Sequence, residues 1–152
     1  MNGQRIVTTT WAATVLFAVA VVLGVTWPAT ELVAIWVSVV LFFVGSFVAL
    51  YAFGKGIVRS TRGDDVSVAN LFFLQGSAPR NVRRHFLAIL VASLAVVGLS
   101  ILNLTIAPYA WLELMVSVGM PALWAARHGT FPTRTSPAQG ANEPSIPEPT
   151  DR

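Results

Sequence analysis

Five polar side chains in the mainly apolar stretch 86–126 lie on two helix faces, and one of them is a carboxyl group. Spacings of seven and ten residues place Ser93, Ser100 and Asn103 on one face of a helix. Glu113 and Ser117 are four residues apart, which places them on one face of the helix that follows. A carboxyl group in an apolar setting is costly unless it is hydrogen-bonded, neutral or beside a wet cavity. These five residues are therefore a candidate polar cluster.

The spacing also predicts how the two helices pair. If they form an antiparallel hairpin, Asn103 with Glu113 and Ser100 with Ser117 are both symmetric about residue 108, which is a proline. The amide of Asn103 can donate a hydrogen bond to a carboxyl group at equal depth. We therefore expect Asn103 to bind Glu113 about one turn below the outer end of the hairpin.

Two roles for Glu113 follow from this placement. Intramembrane carboxylates take part in proton or cation coupling in transporters. Alternatively, Glu113 only stabilises the hairpin near the interface, where a carboxyl group costs less. The lack of a second acidic residue or a buried basic partner in the sequence favours the structural role.

The composition excludes an ordinary water-soluble enzyme. Of the 152 residues, 55% are hydrophobic and 11% charged, whereas a soluble domain is about 45–50% apolar and about 25% charged. This length allows one domain, and the absence of cysteine excludes disulfides and thiolate chemistry. No pair of nucleophile and base and no group of metal ligands stands out, so we expect no enzyme activity, cofactor or metal.

Long uncharged runs predict membrane-spanning helices. Residues 6–30 and 32–54 form runs of 25 and 23 residues, and about 20 residues suffice to cross about 30 Å of hydrocarbon. Residues 86–126 carry one charge, at Glu113, and are too long for one span, so we expect Pro108 to divide them. The predicted spans are 8–27, 32–53, 86–106 and 108–126.

Basic residues predict the orientation. All ten Lys and Arg residues lie outside the connections near Pro28 and Pro108. A fold with both termini and the 54–85 loop on one side therefore places every basic residue on that side, which the positive-inside rule makes cytoplasmic. The expected fold is all-α: a multi-pass plasma-membrane domain, residues 1–128, with four transmembrane helices in two hairpins and both termini in the cytoplasm.

Small residues predict where the first two spans pack, because close approach of helices in lipid needs small side chains on matching faces. In each of the two spans such residues recur on one helix face at spacings of three, four or seven. They are Thr10, Ala13, Ala20 and Gly24 in the first span and Ala34, Ser38, Gly45, Ala49 and Ala52 in the second. The alternative is that alanine is simply abundant in this chain.

The 54–85 loop is the longest polar connection, and specific interactions of a protein are concentrated in such loops. Its apolar cluster, residues 71–74, follows Asp64 and Asp65 and is too short to span. We expect a short interfacial helix there, with Leu71 and Phe72 available to lipid or to a partner.

Three arginines follow the loop. Pro79 predicts the start of the third long helix, which places Arg80, Arg83 and Arg84 in its first turns, at the membrane surface. They either bind anionic lipid head groups, at about 1 kcal/mol each, or only set the topology while their side chains extend to the interface.

The C-terminal segment differs in composition from the rest. Residues 129–152 contain five prolines among 24 residues, with polar residues between them. Such a composition cannot bury a core, so we expect a disordered, proline-rich cytoplasmic tail.

Two sequence patches carry a family resemblance. Residues 71–74 with 76–79, followed by Trp124 to Pro132 (WAARHGTFP), resemble a group of small actinobacterial four-helix integral membrane proteins that have no assigned activity. The resemblance covers most of residues 1–134. It implies a cell-membrane location and transfers no functional residues.

Two functions follow as hypotheses. The first is a non-enzymatic accessory or assembly component of the cell envelope, which acts through helix packing and its basic, apolar cytoplasmic loop. The second is a small oligomeric transporter or lipid-handling protein that uses Glu113 in a polar path. The expected partners are the lipid bilayer, anionic head groups at the cytoplasmic face, and another membrane protein or a second copy of the chain; no nucleic acid is expected.

Overall fold

Helices account for most of the structure, a computed structural model that describes residues 3–131 and 133 and contains no β-strand within that part of the chain. The helices are α1 (Gly3–Thr26), α2 (Glu31–Thr61), α3 (Val68–Phe72), α4 (Arg80–Ser100), α5 (Ala107–Ala110) and α6 (Leu114–His128). Short 3-10 turns at Pro28–Thr30 and Trp111–Glu113 lead into α2 and α6. The all-helical expectation is confirmed.

Among the described residues, three stretches are long and apolar enough to cross a membrane: Gly3–Thr26, Pro28–Thr61 and Arg80–Ser100. The fourth predicted span, 108–126, is not one helix. It is divided among α5, a 3-10 turn and α6, which has only 15 residues.

Large apolar side chains cover the outside of the long helices, the reverse of a soluble protein. On α2, Trp36, Phe43, Phe47 and Leu50 are exposed, whereas Ser38 on the opposite face is fully buried. Hydrocarbon, unlike water, does not penalise such an exposed apolar surface. The distribution is consistent with a membrane-embedded protein.

The small residues face the interior, as predicted. Thr10, Ala20 and Gly24 of α1 are buried, and Ala13 is half-buried. Gly45 of α2 is buried, and a Cβ at this position would overlap the backbone of Met115 and Val116. The small faces therefore permit close helix packing rather than only reflecting abundant alanine.

Helix α6 lies in the middle of the bundle and runs parallel to α2. It packs against α1, α2, α3 and α4, and nine of its residues are buried. A Cβ at Gly119 would lie 2.5 Å from the Gly45 carbonyl oxygen. Ten residues after Gly119, the Gly129 carbonyl accepts a hydrogen bond from Arg59, which lies 14 residues after Gly45 on α2. Residue numbers therefore increase in the same direction along both helices.

The turn of the last hairpin lies earlier than predicted. Helix α4 ends at Ser100, and the chain turns at Asn103, whose Oδ1 accepts from the Thr105 amide at 2.9 Å. The Asn103 carbonyl accepts from the amides of Ile106 and Ala107. Pro108 lies in the first turn of α5, where its missing N–H costs nothing. The turn after α4 is therefore closed by the side chain of Asn103 and not by Pro108.

The contact between α2 and α6 can be tested with two glycine variants. We expect Gly45→Ala to destabilise the protein by about 1–3 kcal/mol, because the added methyl group forces the two backbones apart. Gly98→Ala is the matched control: nothing lies within 4 Å of its added Cβ, so the higher helix propensity of alanine should make it neutral or slightly stabilising. Thermal unfolding in detergent measures both, and equal stability of the two variants would contradict the close contact.

Candidate functional site

A carboxyl group is fully buried where α4 and α6 meet. Glu113 is 0% exposed, and its Oε1 lies 3.2 Å from the Ser93 hydroxyl and 3.4 Å from the Ser117 hydroxyl. The two hydroxyl oxygens are 2.9 Å apart. The structure therefore brings together three of the five residues of the predicted polar cluster.

The hydrogen bonds compensate the carboxyl group only in part. The two serines have one hydroxyl proton each, but there are three contacts among Ser93, Ser117 and Oε1. When one proton forms the short bond between the serines, Oε1 receives only one hydrogen bond. The second oxygen, Oε2, is buried and has no hydrogen-bond partner among the described residues. No basic side chain forms an ion pair with Glu113 in that part of the chain. A buried negative charge would be poorly compensated here.

Glu113 lies deeper than predicted. Its partner Ser93 is seven residues, or about 10 Å, from both Phe86 and Ser100. Independently, the contact of Met115 with Gly45 places Glu113 beside the middle of the apolar segment 32–53 of α2. Two helices thus agree that the carboxyl group lies at the middle of the apolar segments, not one turn below their outer end.

Asn103 does not bind Glu113, which corrects the predicted pairing. Its Nδ2 donates to Glu31 Oε1 at 2.7 Å and lies 3.3 Å from the Gly24 carbonyl oxygen. Ser100 is also separate from Ser117, because its hydroxyl donates to the Val97 carbonyl of its own helix. The register differs because the hairpin turns near residue 104 instead of residue 108.

The sequence analysis did not predict the hydrogen bond that Glu31 forms with Asn103. It ties the start of α2 to the α4–α5 turn through Asn103. A signal was present, because Glu31 is the only charged residue between the uncharged runs 6–30 and 32–54. A charge in that position has to be hydrated or bound at the helix end.

A cavity of about 180 Å³ leads from the end of the bundle where α3 lies to Ser117. It lies between the turn after α3, the first half of α4 and the middle of α6. Eight of its eleven lining residues are apolar, and the other three are Gln75, Arg83 and Ser117. Since Ser117 also contacts Glu113, one hydroxyl group separates the cavity from the buried carboxyl group.

The helix in the loop exists, but it presents different residues than predicted. Helix α3 begins after Ser67, whose hydroxyl accepts from the Asn70 amide. Leu71, predicted as a lipid or partner contact, is only 3% exposed because its side chain packs on Gly56 of α2. Phe72 is half-buried and lines the cavity, whereas its neighbour Phe73 is 59% exposed.

The backbone after α3 explains why Leu71 is buried and Phe73 is exposed. Leu74 has a φ of 56°, in the left-handed region that costs an L-residue about 1–2 kcal/mol. Its side chain is nevertheless buried. The turn therefore directs Leu71 and Leu74 inward together, and Phe73 outward.

The three arginines lie where the sequence predicts. Helix α4 begins at Arg80, directly after Pro79, and Arg83 and Arg84 follow in its first two turns. All three are exposed. Only Arg83 also lines the cavity.

The beginning of the predicted tail packs against the loop. The Thr130 amide donates to the Ser77 carbonyl, and Thr133 forms an isolated antiparallel bridge with Asp64. Arg59 forms an ion pair with Asp64 at 2.8 Å, and its guanidinium lies 4.5 Å from the centre of the Phe131 ring. Residues 129–131 and 133 of the predicted tail therefore contact the loop and the end of α2, whereas residues 132 and 134–152 lie outside the described residues.

The serine–carboxyl network can be tested with a double-mutant cycle. We expect Ser93→Ala and Ser117→Ala each to cost about 0.5–2 kcal/mol, and the double variant to cost measurably less or more than their sum, because the groups share partners. Ser100→Ala is the control: within the described residues its hydroxyl bonds to its own helix, at the Val97 carbonyl, so it should couple to neither. Additive costs for Ser93 and Ser117 in unfolding measurements would contradict the network.

Comparison with protein-family models, with curated proteins and with solved structures finds no match to this chain.

Proposed function

We propose that this chain is a non-enzymatic, four-pass protein of the plasma membrane with both termini in the cytoplasm. Helices α1, α2 and α4 are three of the passes, and residues 107–128 form the fourth. The packing supports a common side for the termini and the loop, since Gly3 lies against Trp124 and Thr130 binds Ser77. The basic residues of the loop then lie at the same end as both termini, in agreement with the positive-inside rule.

Cysteine labelling tests this topology, because the chain has no native cysteine. Ala29 and Asp65 are exposed at opposite ends of α2. We expect Ala29→Cys to react with a membrane-impermeant maleimide in intact cells, and Asp65→Cys to react only after the membrane is permeabilised. The reverse pattern would invert the topology, and labelling of both in intact cells would contradict the membrane-spanning arrangement.

For the activity, we propose that Glu113 binds and releases a proton in the interior of the protein, as part of a small transporter or lipid-handling protein. The observation that carries this proposal is a carboxyl group that is fully buried at mid-depth with Oε2 unpartnered. A merely structural carboxyl group would be expected near the interface or with its oxygens fully bonded. Because Glu113 lies far from either end of the apolar segments, the free-energy cost of burying its carboxyl group is not reduced by a nearby interface.

The cavity supports the same proposal. A coupling residue has to exchange protons with one side of the membrane, and the cavity reaches Ser117 from the inner end. Serine hydroxyls both donate and accept hydrogen bonds, so Ser117 and Ser93 can relay a proton to Oε1. At the outer side, the short α5 and the 3-10 turn lie between Glu113 and the outer end of the bundle.

A second candidate is the accessory role in the cell envelope. It is favoured by one observation: two apolar side chains of the loop, Val68 and Phe73, are 63% and 59% exposed. Exposed apolar residues in a loop that joins two long helices suit contact with another membrane protein as well as with lipid.

Proton flux separates the two candidates. In vesicles that contain a pH-sensitive dye, with the membrane potential clamped, we expect the wild type to speed equilibration of an imposed pH difference. Glu113→Gln should reduce the rate to that of protein-free vesicles, because an amide cannot bind the proton. Glu31→Gln is the control, since it keeps an acceptor for Asn103 at the outer end.

Both variants should fold and reach the membrane at wild-type levels, because the substitutions conserve shape. If Glu113→Gln supports the same flux as the wild type, the coupling role is wrong and the accessory role remains.

A further inference from the structure

The cavity at the inner end has the chemistry of an amphiphile site. On α4 its wall is formed by Arg83, Phe86, Leu87 and Leu90, which share one helix face and extend over about 10 Å. The far end of the wall is apolar, and the near end carries a guanidinium group. A ligand that fits both ends has an anionic group attached to a hydrocarbon chain.

The electrostatics favour an anion at this end. Arg83 is the basic residue among those that line the cavity. None of the cavity-lining residues is acidic. Arginine binds phosphate oxygens through two parallel N–H groups, which makes a phosphate ester a suitable head group.

The cavity opens towards the apolar outer surface. Phe73 and Leu87 both line it, and each is 59% exposed. Two exposed apolar side chains at the opening indicate a lateral entrance from the hydrocarbon layer, so that the chain of a lipid can enter without crossing water. The entrance thus joins the region of the acyl chains to the cavity, and Arg83 marks the side of the head groups.

The size fits part of one acyl chain. A closed apolar cavity of about 150 Å³ accommodates a benzene molecule, and this cavity has about 180 Å³ and is open at one side. A complete drug-sized ligand needs about 300 Å³ or more. A chain that enters from the side needs only a few of its methylene groups inside.

We propose that this cavity holds one acyl chain of an anionic phospholipid from the inner leaflet, with Arg83 bound to the phosphate group and the inserted chain in contact with Phe86, Leu90 and Pro121. The site rests on the membrane insertion proposed above.

Photo-crosslinking in bilayers tests the site. The full chain is reconstituted in phosphatidylcholine with a small fraction of phosphatidylglycerol that carries a diazirine in its acyl chain, and the labelled peptides are mapped by mass spectrometry. We expect labelling to concentrate on residues 83–90 and 117–121. The same probe with a phosphatidylcholine head group should label these peptides less.

Two pairs of variants sharpen the result. Leu90→Trp fills the cavity and should reduce its labelling about fivefold or more, whereas Leu94→Trp, one turn further on the exposed face, should not. Arg83→Gln should reduce labelling by phosphatidylglycerol about fivefold, whereas Arg84→Gln, outside the lining, should not. Size-exclusion chromatography shows whether Leu90→Trp folds. If it does not, Arg83→Gln and Arg84→Gln still test the site.

Labelling spread evenly over the exposed faces of α2 and α4 would overturn the lipid site and leave membrane insertion intact. Equal labelling by both head groups would overturn the role of Arg83, and with it the proposal. A protein that takes up no label from the bilayer at all would instead contradict the proposed membrane function. The flux measurement on Glu113→Gln is independent of all three outcomes.

Discussion

The backbone of α6 lies directly against the backbone of α2, and the placement of the polar interior depends on this contact. Glycines at positions 45 and 119 permit this contact, because a Cβ at either position would overlap the backbone of the opposite helix. Since hydrocarbon gives helices little reason to associate, such close packing has to hold α6 in place. Once α6 is fixed beside the middle of α2, Glu113 at its N-terminal end is fixed at mid-depth, and Ser93 on α4 completes its surroundings.

The sequence predicts the elements of this fold better than their pairing. Uncharged runs locate α1, α2 and α4, and small residues identify the inward faces of the first two, because both signals depend on local composition. The register of the last hairpin depends on one side chain. Asn103 closes the turn through its own oxygen and anchors it to Glu31 through its nitrogen. Neither contact leaves a periodic pattern, whereas Pro108 suggests a turn by residue type alone.

The candidate site shows the same division between local and long-range information. The four-residue spacing of Glu113 and Ser117 is local, and the structure keeps them together. Ser93 joins them only because the turn moves the hairpin axis by several residues. In the loop, residue types predict a short helix correctly, but which side chains face inward depends on a left-handed residue, Leu74, and on docking against Gly56. A five-residue helix has too few turns for hydrophobic periodicity to define its buried face.

The parallel arrangement of α2 and α6 has a consequence for biosynthesis. Gly119 has to reach a partner 74 positions earlier in the chain, after both α4 and the loop have been made. The segment that forms α6 is short and preceded by a carboxyl group, so it has little tendency to partition into lipid alone. In the membrane arrangement proposed above, the first three long helices therefore enter the bilayer as an incomplete assembly in which the face of α2 around Gly45 is uncovered. The last segment completes the bundle when it is translated and packs against this face.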